Sequence, residues 1–185
     1  MMPEISLNIL DVAQNSIRAG AKLIEITITA NTQKDLLSIT IEDNGCGMTK
    51  EQVSLVSDPF YTTRTTRKVG LGIPFFQYAA NATGGDFHIQ STVNVGTKVI
   101  ANFKLSHIDR MPLGDMTSTI HTLITMNTGI DFLYQYTLDE RSFTLDTREF
   151  RDVLGDVPFD NFDVSNYIKA FLSENKAEVD NGFIL

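Results

Sequence analysis

Cysteine and long apolar runs are scarce in this chain. Its one cysteine, Cys46, excludes an intrachain disulfide and agrees with a reducing compartment. No stretch approaches the roughly 18 to 20 apolar residues that a membrane-spanning helix needs, and no basic segment precedes an apolar run at the start of the chain. We therefore expect a cytoplasmic protein that does not act in a membrane.

Positive charge is scarce in the last part of the chain. Residues 1–105 contain nine Lys or Arg and nine Asp or Glu, whereas residues 106–185 contain six and fourteen. The whole net charge of −8 therefore lies in residues 106–185, and such a region repels a phosphate backbone. We expect no binding to nucleic acid.

Complete phosphate-binding loops are also missing. No Gly-Lys-Ser or Gly-Lys-Thr follows the glycines at 70 and 72, which excludes a Walker loop, and there is no full Gly-x-Gly-x-x-Gly pattern. The chain contains two shorter glycine motifs instead, Asp43-Asn44-Gly45-Cys46-Gly47-Met48 and Val69-Gly70-Leu71-Gly72.

The first glycine motif follows a predicted strand, the β-branched and apolar run 36–41. A carboxylate that ends a strand can accept a hydrogen bond from the exocyclic amine of adenine, and glycines let backbone approach the ring closely. We therefore predict that Asp43 reads adenine, with Gly45 and Gly47 beside it. Taken alone, Asp-Asn-Gly more often indicates only a tight turn.

The second glycine motif precedes the apolar run 73–80, which predicts a helix. The first N–H groups of a helix and its dipole favour phosphate, and glycines do not block the approach with side chains. We therefore predict a phosphate contact at Gly70 and Gly72, for which a Gly-x-Gly pair alone is weak evidence.

Apolar residues recur at helical spacing between residues 5 and 17 and leave Asp11, Asn15 and Arg18 on one face of the predicted helix. An asparagine oxygen can bind Mg²⁺, and a carboxylate one turn away can orient or deprotonate a water molecule. Arg18 can neutralise phosphate charge. The same polar stripe also fits the exposed face of an ordinary amphipathic helix.

Taken in order, these motifs resemble the ATP-binding domain shared by gyrase, the large heat-shock chaperone, sensor histidine kinases and MutL. The resemblance covers about residues 5–105. The matching segments are the first box at residues 10–16 with Ala19-Gly20-Ala21, the adenine box at Asp43, Gly45 and Gly47, a kinase-type lid at residues 60–64 with Gly70-Leu71-Gly72, and a closing segment at Gly84-Gly85 with Gly96-Thr97.

The resemblance implies ATP and Mg²⁺ as ligands. It assigns Asn15 to Mg²⁺, Asp11 to the catalytic general-base position, and Thr97 to support of the adenine. The ATP-binding residues that we expect are Asn15, Arg18, Asp43, Gly45, Gly47, Thr63, Arg64, Gly70, Leu71, Gly72 and Thr97.

One residue departs from the family pattern, because the family usually has Glu where this chain has Asp11. The carboxylate is retained, but its side chain is shorter by one methylene. A reach error of about 1 Å can cost on the order of a hundredfold in rate. The substitution therefore argues against fast intrinsic hydrolysis and much less against nucleotide binding.

The segment 58–69 is rich in threonine and in cations. Such a segment can fold over a triphosphate and become ordered when the nucleotide binds. A solvated basic loop without a role is the alternative.

The resemblance implies the Bergerat-type ATP-binding fold for residues 1–108. This is an α+β, two-layer α/β sandwich with helices on one face of a mixed, mainly antiparallel sheet. We predict that residues 109–185 form a small, acidic, aromatic-rich α/β extension, with a boundary near residues 110–115. Its predicted elements are a hairpin at 131–138 and 142–145, a short helix from an Asp146 and Glu149 capping box to Leu154, a helix at 165–177, and a helix or strand at 116–126.

The first box begins near residue 5, which leaves no room before it for the phosphoacceptor helix pair of a sensor histidine kinase. We therefore expect a stand-alone protein kinase of the anti-sigma type, whose acceptor lies on a partner protein. Two alternatives stay open. One is a binding switch without chemistry, in which the C-terminal region docks a partner or a second copy. The other is a slow ATPase resembling MutL or the chaperone, which the Ala19-Gly20-Ala21 stretch favours.

Overall fold

The computed structural model of this chain describes residues 2–56 and 72–185. Within these ranges, pairs of strands alternate with one or two helices along the chain. In chain order they are α1 (Ile5–Arg18), β1 (Leu23–Asn31), β2 (Leu36–Asp43), α2 (Lys50–Leu55), α3 (Gly72–Ala82), β3 (Asp86–Thr92), β4 (Gly96–Lys104), α4 (Met116–Met126), β5 (Asp131–Leu138), β6 (Arg141–Asp146), α5 (Thr147–Leu154) and α6 (Phe162–Asp180).

The described strands form one six-stranded sheet in the order β3-β4-β2-β1-β5-β6. Neighbouring strands are antiparallel except for β1 and β5, which are parallel. The sheet is therefore mixed and mainly antiparallel, and with its helices it forms the predicted two-layer α/β sandwich.

Alternating side chains separate the two faces of the sheet. In β2, Leu37, Ile39 and Ile41 are buried, whereas the residues between them are only partly covered. This period of two is expected of strands that pack one face against helices and leave the other near water. The buried apolar residues of the described chain form one continuous core that extends from Ile5 to Leu185.

Helix α1 ends at a glycine turn that determines where its last polar residues lie. Gly20 has a φ of +74°, and the N–H of Ala21 bonds to the carbonyl of Ser16 while that of Gly20 bonds to the carbonyl of Ile17. This pair of bonds reverses the chain in a Schellman motif, for which glycine is favoured. The turn leads into β1 and places the last turn of α1 beside the end of β2.

Residues after 108 complete the same sheet and core. β5 pairs with β1, and the backbone N–H groups of Ile5 and Ser6 donate to the carbonyls of Pro112 and Leu113. The predicted hairpin is confirmed as β5 and β6, and segment 116–126 is a helix. The division of the chain at residue 108 stays a prediction.

Caps explain the bounds of the last two helices. Asp146 caps α5 and accepts a hydrogen bond from the backbone N–H of Arg148, which confirms the predicted acidic cap. In the predicted capping box, the donor would be the N–H of Glu149. Helix α6 is longer than predicted because Asn161 accepts from the N–H groups of Asp163 and Val164 and begins the helix at Phe162. None of the helices in the described ranges is long and apolar enough to span a membrane.

Candidate functional site

A cavity of about 320 Å³ lies where the end of α1, the end of β2 and the start of β4 meet the start of α3. Its volume falls in the range of about 300 to 1,000 Å³ that is usual for small-molecule sites. Six of the predicted site residues line it together, although they come from four separate parts of the chain. They are Asn15, Arg18, Asp43, Gly47, Gly72 and Thr97.

Asp43 is held in the cavity wall by two hydrogen bonds. Its Oδ2 accepts from the Ser16 hydroxyl at 2.6 Å, and its Oδ1 accepts from the backbone N–H of Gly45 at 2.9 Å. Each carboxylate oxygen can accept more than one bond. The side chain is therefore fixed in direction and still able to accept from an amine in the cavity.

The loop after Asp43 is fastened on both of its sides. The N–H of Cys46 donates to the carbonyl of Ala19 at 2.9 Å, next to the end of α1. On the other side, the N–H of Asn94 in the β3–β4 turn donates to the carbonyl of Cys46 at 2.7 Å. These contacts connect helix α1, the loop and the β3–β4 hairpin into one frame around the cavity.

A contact within the protein explains why residue 47 is glycine. Its φ is +65°, and a Cβ added to it would lie 2.0 Å from the carbonyl oxygen of Thr92. From the sequence, we expect a glycine at this position because a ligand approaches the backbone. In the structure, the close approach is that of strand β3.

Asp11, the predicted catalytic residue, lies directly against Gly72. A Cβ at position 72 would be 2.0 Å from Asp11 Oδ2, so this contact is possible only with glycine. Gly72 is the first residue of α3 and lines the cavity. The carboxylate thus reaches the place where the predicted phosphate-binding helix begins.

Asn15 and Arg18 interact with each other at the cavity. Arg18 Nη1 donates to Asn15 Oδ1 at 2.8 Å, and its Nη2 donates to Gln14 Oε1 at 3.2 Å. The predicted Mg²⁺ ligand therefore has its oxygen directed to a cation in this structure. A bound metal ion would take that oxygen from the guanidinium.

The donor set fits one kind of magnesium site. Over residues 2–56 and 72–185, no three His, Cys, Asp or Glu residues are grouped so that they can hold a metal ion. Mg²⁺ commonly keeps several waters and binds substrate phosphates with few protein ligands. Asn15 fits such an ion if the ion arrives with the phosphates of a nucleotide.

Thr97 lies in a row of polar residues across three strands. It is the register partner of Asp43 on β2 and of Ser91 on β3. No sequence motif predicts a role for Ser91, yet its Oγ lies 2.8 Å from Thr97 Oγ1. Only the register of the strands brings the two together, and no local motif marks it. Ser16, which was assigned only to the first box, likewise acquires its role through a distant residue.

Part of the predicted site lies outside the described residues. This part comprises the lid segment 58–69 and the predicted ATP contacts Thr63, Arg64, Gly70 and Leu71. Gly45 is described, and its backbone supports Asp43 through the bond given above.

Comparison with known proteins identifies relatives of the part of the chain that forms this site. A family model described as "Histidine kinase-, DNA gyrase B-, and HSP90-like ATPase" matches residues 4–107. The signal transduction histidine-protein kinase AtoS of Escherichia coli is 34% identical over 97 residues, which are 52% of this chain and 15% of AtoS. The sensor histidine kinase YvrG of Bacillus subtilis is 28% identical over 94 residues, which are 49% of this chain and 16% of YvrG.

A solved structure supports the fold. The crystal structure of the N-terminal domain of a DNA repair protein has a TM-score of 0.52 and 16% identity, and the match covers 78% of this chain and 53% of that one. At this identity the likeness concerns the fold alone. The chain spans about a sixth of the length of the two sensor kinases that it matches.

Proposed function

Because the chain belongs to the family of histidine kinase-, DNA gyrase B- and HSP90-like ATPases, we propose that it binds Mg-ATP in the cavity beside Asp43 and acts as a protein kinase or ATP-dependent regulator of a partner protein. The family match and the sensor kinase relatives support an ATP-binding domain of the histidine kinase type. The observation that carries the proposal is the fixed carboxylate of Asp43 in the cavity wall.

In this proposal, adenine binds against Asp43 and Thr97. The exocyclic amine of adenine donates to Asp43, whose two existing hydrogen bonds stop it from rotating away. Apolar side chains of the cavity, among them Ile41 and Val99, cover the faces of the ring. The combination of a polar anchor with apolar walls is typical of a site for a flat heteroaromatic base.

The phosphates extend from the base toward Asn15, Arg18 and the start of α3. The N–H groups at the start of α3 and the guanidinium of Arg18 stabilise the negative charge. Asn15 would hold the Mg²⁺ that arrives with the nucleotide, and the bound ion would supply stabilisation of negative charge on the phosphoryl group. Gly72 leaves space at this helix start for the Asp11 carboxylate.

We assign Asp11 the task of orienting the group that attacks the γ-phosphate. That group is a water in hydrolysis or the side chain of an acceptor in transfer. The position of Asp11 against the first residue of α3 supports this role. Its shorter side chain gives a reason to expect slow turnover unless a partner supplies the attacking group.

The positions of the histidines favour an acceptor on another protein or another segment. His88 lies beside Asp86 on β3, His107 lies beside Asp109, and His121 on α4 bonds to Ser165. None of these three described histidines lines the cavity. An imidazole that receives phosphate must therefore be brought to Asn15 and Asp11 from elsewhere.

A surface on α5 and α6 is our proposed docking site for the partner. It consists of Phe150, Val153, Tyr167 and Phe171, which we call the aromatic patch. The three rings lie with centroids 5.8 to 6.5 Å apart, and Tyr167 is 60% and Val153 86% exposed. Phe150 and Phe171 are half-buried against the core beside them. Exposed apolar side chains over such aromatic residues are typical of protein interfaces.

Charge indicates the kind of partner that fits the aromatic patch. Four exposed carboxylates lie on or next to the same two helices, Glu149, Asp152, Asp156 and Asp163, and they outnumber the exposed cations Arg148 and Lys169. A segment with apolar residues and Lys or Arg complements both the rings and the carboxylates. We therefore propose a basic, apolar segment of a partner protein as its occupant.

The experiment that tests the function is a time course of the purified protein with Mg²⁺ and γ-labelled ATP. Free phosphate and labelled protein are both followed, beside an Asp11→Asn variant and a parallel measurement of ATP binding. Phosphate release that disappears in Asp11→Asn supports a competent site with Asp11 at its centre. Absence of ATP binding in the parent protein would overturn the proposal.

A binding switch is the second candidate, and the aspartate at position 11 favours it. In that case the same time course gives ATP binding without phosphate release. Addition of ATP then changes the affinity for a partner, and Asp11→Asn leaves this effect unchanged while Asp43→Asn removes it.

A further inference from the structure

Ser91 makes three hydrogen bonds, two of them with the cavity-lining residues Met48 and Thr97. Its Oγ accepts from the backbone N–H of Met48 at 2.8 Å and donates to the carbonyl of Gly96 at 2.9 Å. The third contact, at 2.8 Å, is with Thr97 Oγ1. The hydroxyl thus connects the loop after Asp43 with two residues of β4.

The number of protons on these groups determines the direction of the third bond. A serine hydroxyl has one proton and two lone pairs. The proton of Ser91 goes to Gly96, since a carbonyl can only accept, and one lone pair receives the N–H of Met48. The remaining lone pair faces Thr97, so the Thr97 hydroxyl must be the donor.

The consequence is that Thr97 presents no proton to the cavity. Its single hydroxyl proton points to Ser91, and its lone pairs are left for a ligand. Asp43, its register partner, is likewise an acceptor when ionised. Both groups on this wall therefore accept hydrogen bonds.

From this geometry we propose that Ser91 is a specificity-determining positioning residue, which holds Thr97 as an acceptor and so selects a 6-aminopurine nucleotide over a 6-oxopurine nucleotide. The inference rests on the proposed nucleotide site and adds a residue that no motif of the sequence marks. A 6-amino group donates two N–H bonds and matches a wall of acceptors. A 6-oxo group offers lone pairs to the same wall and is rejected, because acceptors then face acceptors.

The test compares ATP with inosine triphosphate, which replaces the 6-amino group by a 6-oxo group and the N1 acceptor by an N1–H donor. Dissociation constants for both nucleotides are measured by calorimetry for the parent protein and for Ser91→Ala. Without Ser91, the Thr97 hydroxyl can turn and donate to a 6-oxo group. We expect the preference for ATP to fall about tenfold in Ser91→Ala, the size of effect that one misdirected hydrogen bond gives.

Three further variants separate this role from a structural one. Ser91→Thr keeps the hydroxyl and should restore the preference. Ser38→Ala removes a serine of β2 from the other face of the sheet and should leave the preference for ATP unchanged. Ser91→Cys keeps the side-chain volume with much weaker hydrogen bonding, and it serves if Ser91→Ala does not fold.

The outcomes distinguish the two proposals. If the parent protein binds neither nucleotide, the proposed function fails and the inference with it. If the parent binds ATP but the variants weaken ATP and inosine triphosphate equally, Ser91 only supports the loop and the inference is overturned. Equal affinity of the parent for both nucleotides overturns it as well.

Discussion

The hydroxyl of Ser16 donates to Asp43 Oδ2 over 2.6 Å and joins the last turn of α1 to the end of β2. The helix carries Asn15, the predicted metal ligand, and the strand ends at the predicted adenine reader. The bond fixes the position of the two ends of the site relative to each other through contacts within the protein. Such preorganisation lowers the entropic cost of binding.

Replacement of Asp43 by Asn tests the adenine contact. One acceptor oxygen becomes an NH₂ group that would face the amine of the base, while the size of the side chain is unchanged. We expect ATP affinity to fall about 10- to 100-fold, the value of one lost bond to a charged acceptor. Calorimetry measures the loss, with Asp152→Asn on α5 as the control. An unchanged ATP affinity in Asp43→Asn would show that Asp43 does not contact the nucleotide.

Position 72 tests the catalytic carboxylate. A Cβ at this residue would meet Asp11 Oδ2 at 2.0 Å and would displace it. We expect Gly72→Ala to lower phosphate release or transfer by about a hundredfold and to change ATP affinity less. Gly129→Ala is the matched control, because a Cβ there meets nothing within 4 Å. Equal rates in the two variants would contradict the role of Asp11.

The sequence predicts the parts of this site that depend on local order. Helical periodicity indicates α1, and a strand that stops at a turn signal places Asp43 at its end. The contacts of Ser91 with Thr97 and of Asp11 with Gly72 depend on how distant segments are brought together. Strand register and helix packing determine them, and neither can be read from a local pattern. The parallel pairing of β5 with β1 is of the same kind.

Asn15 tests the role of magnesium. In the structure its Oδ1 accepts from Arg18, and we expect Mg²⁺ to replace this partner when ATP binds. Mg²⁺ should therefore strengthen ATP binding to the parent protein, whereas Asn15→Ala should bind ATP with nearly the same affinity in Mg²⁺ and in EDTA. Titrations under both conditions give the ratio, with Asn175→Ala on α6 as the control. A magnesium effect that survives in Asn15→Ala would place the ion elsewhere.

Two aspartates at neighbouring turns predict a loss of stability in acid. The Ser106 hydroxyl lowers the pKa of Asp35, and the backbone N–H of Thr32 lowers the pKa of Asp139. Both carboxyl groups ionise more readily in the folded state than in the unfolded state. Their contribution to folding stability is therefore complete above the unfolded pKa of about 4. It is lost as the pH falls through the lowered pKa values of the folded state.

This stability effect is measured as the Tm between about pH 2 and pH 7. We expect the Tm of the parent protein to fall below about pH 4. At neutral pH, Asp139→Asn should have a lower Tm than the parent, and its Tm should change less with pH. Asp160→Asn, at an exposed site on another part of the surface, serves as the control. A parent and an Asp139→Asn variant with parallel pH curves would exclude this contribution.

The aromatic patch is tested with a labelled synthetic helix of Leu and Lys, which carries the apolar and basic character that we propose for the partner. Replacement of both Val153 and Tyr167 by Ser should weaken its binding about tenfold by removing apolar contact area. Phe162 is an exposed aromatic residue of α6 outside the aromatic patch, and Phe162→Ser should not weaken binding of the helix. A helix of Leu and Glu should not bind, and salt should weaken the Lys helix because exposed charges are screened.

The control variants decide between a specific surface and general attraction to an acidic protein. If Phe162→Ser weakens binding of the Lys helix as much as the double variant does, attraction is spread over the surface and the aromatic patch is not the docking site. Sedimentation of the parent protein identifies a second copy as the occupant if a dimer forms and the double variant dissociates it. A monomer that binds the Lys helix through Val153 and Tyr167 supports a separate basic partner, because only charge complementarity next to the rings explains both dependences.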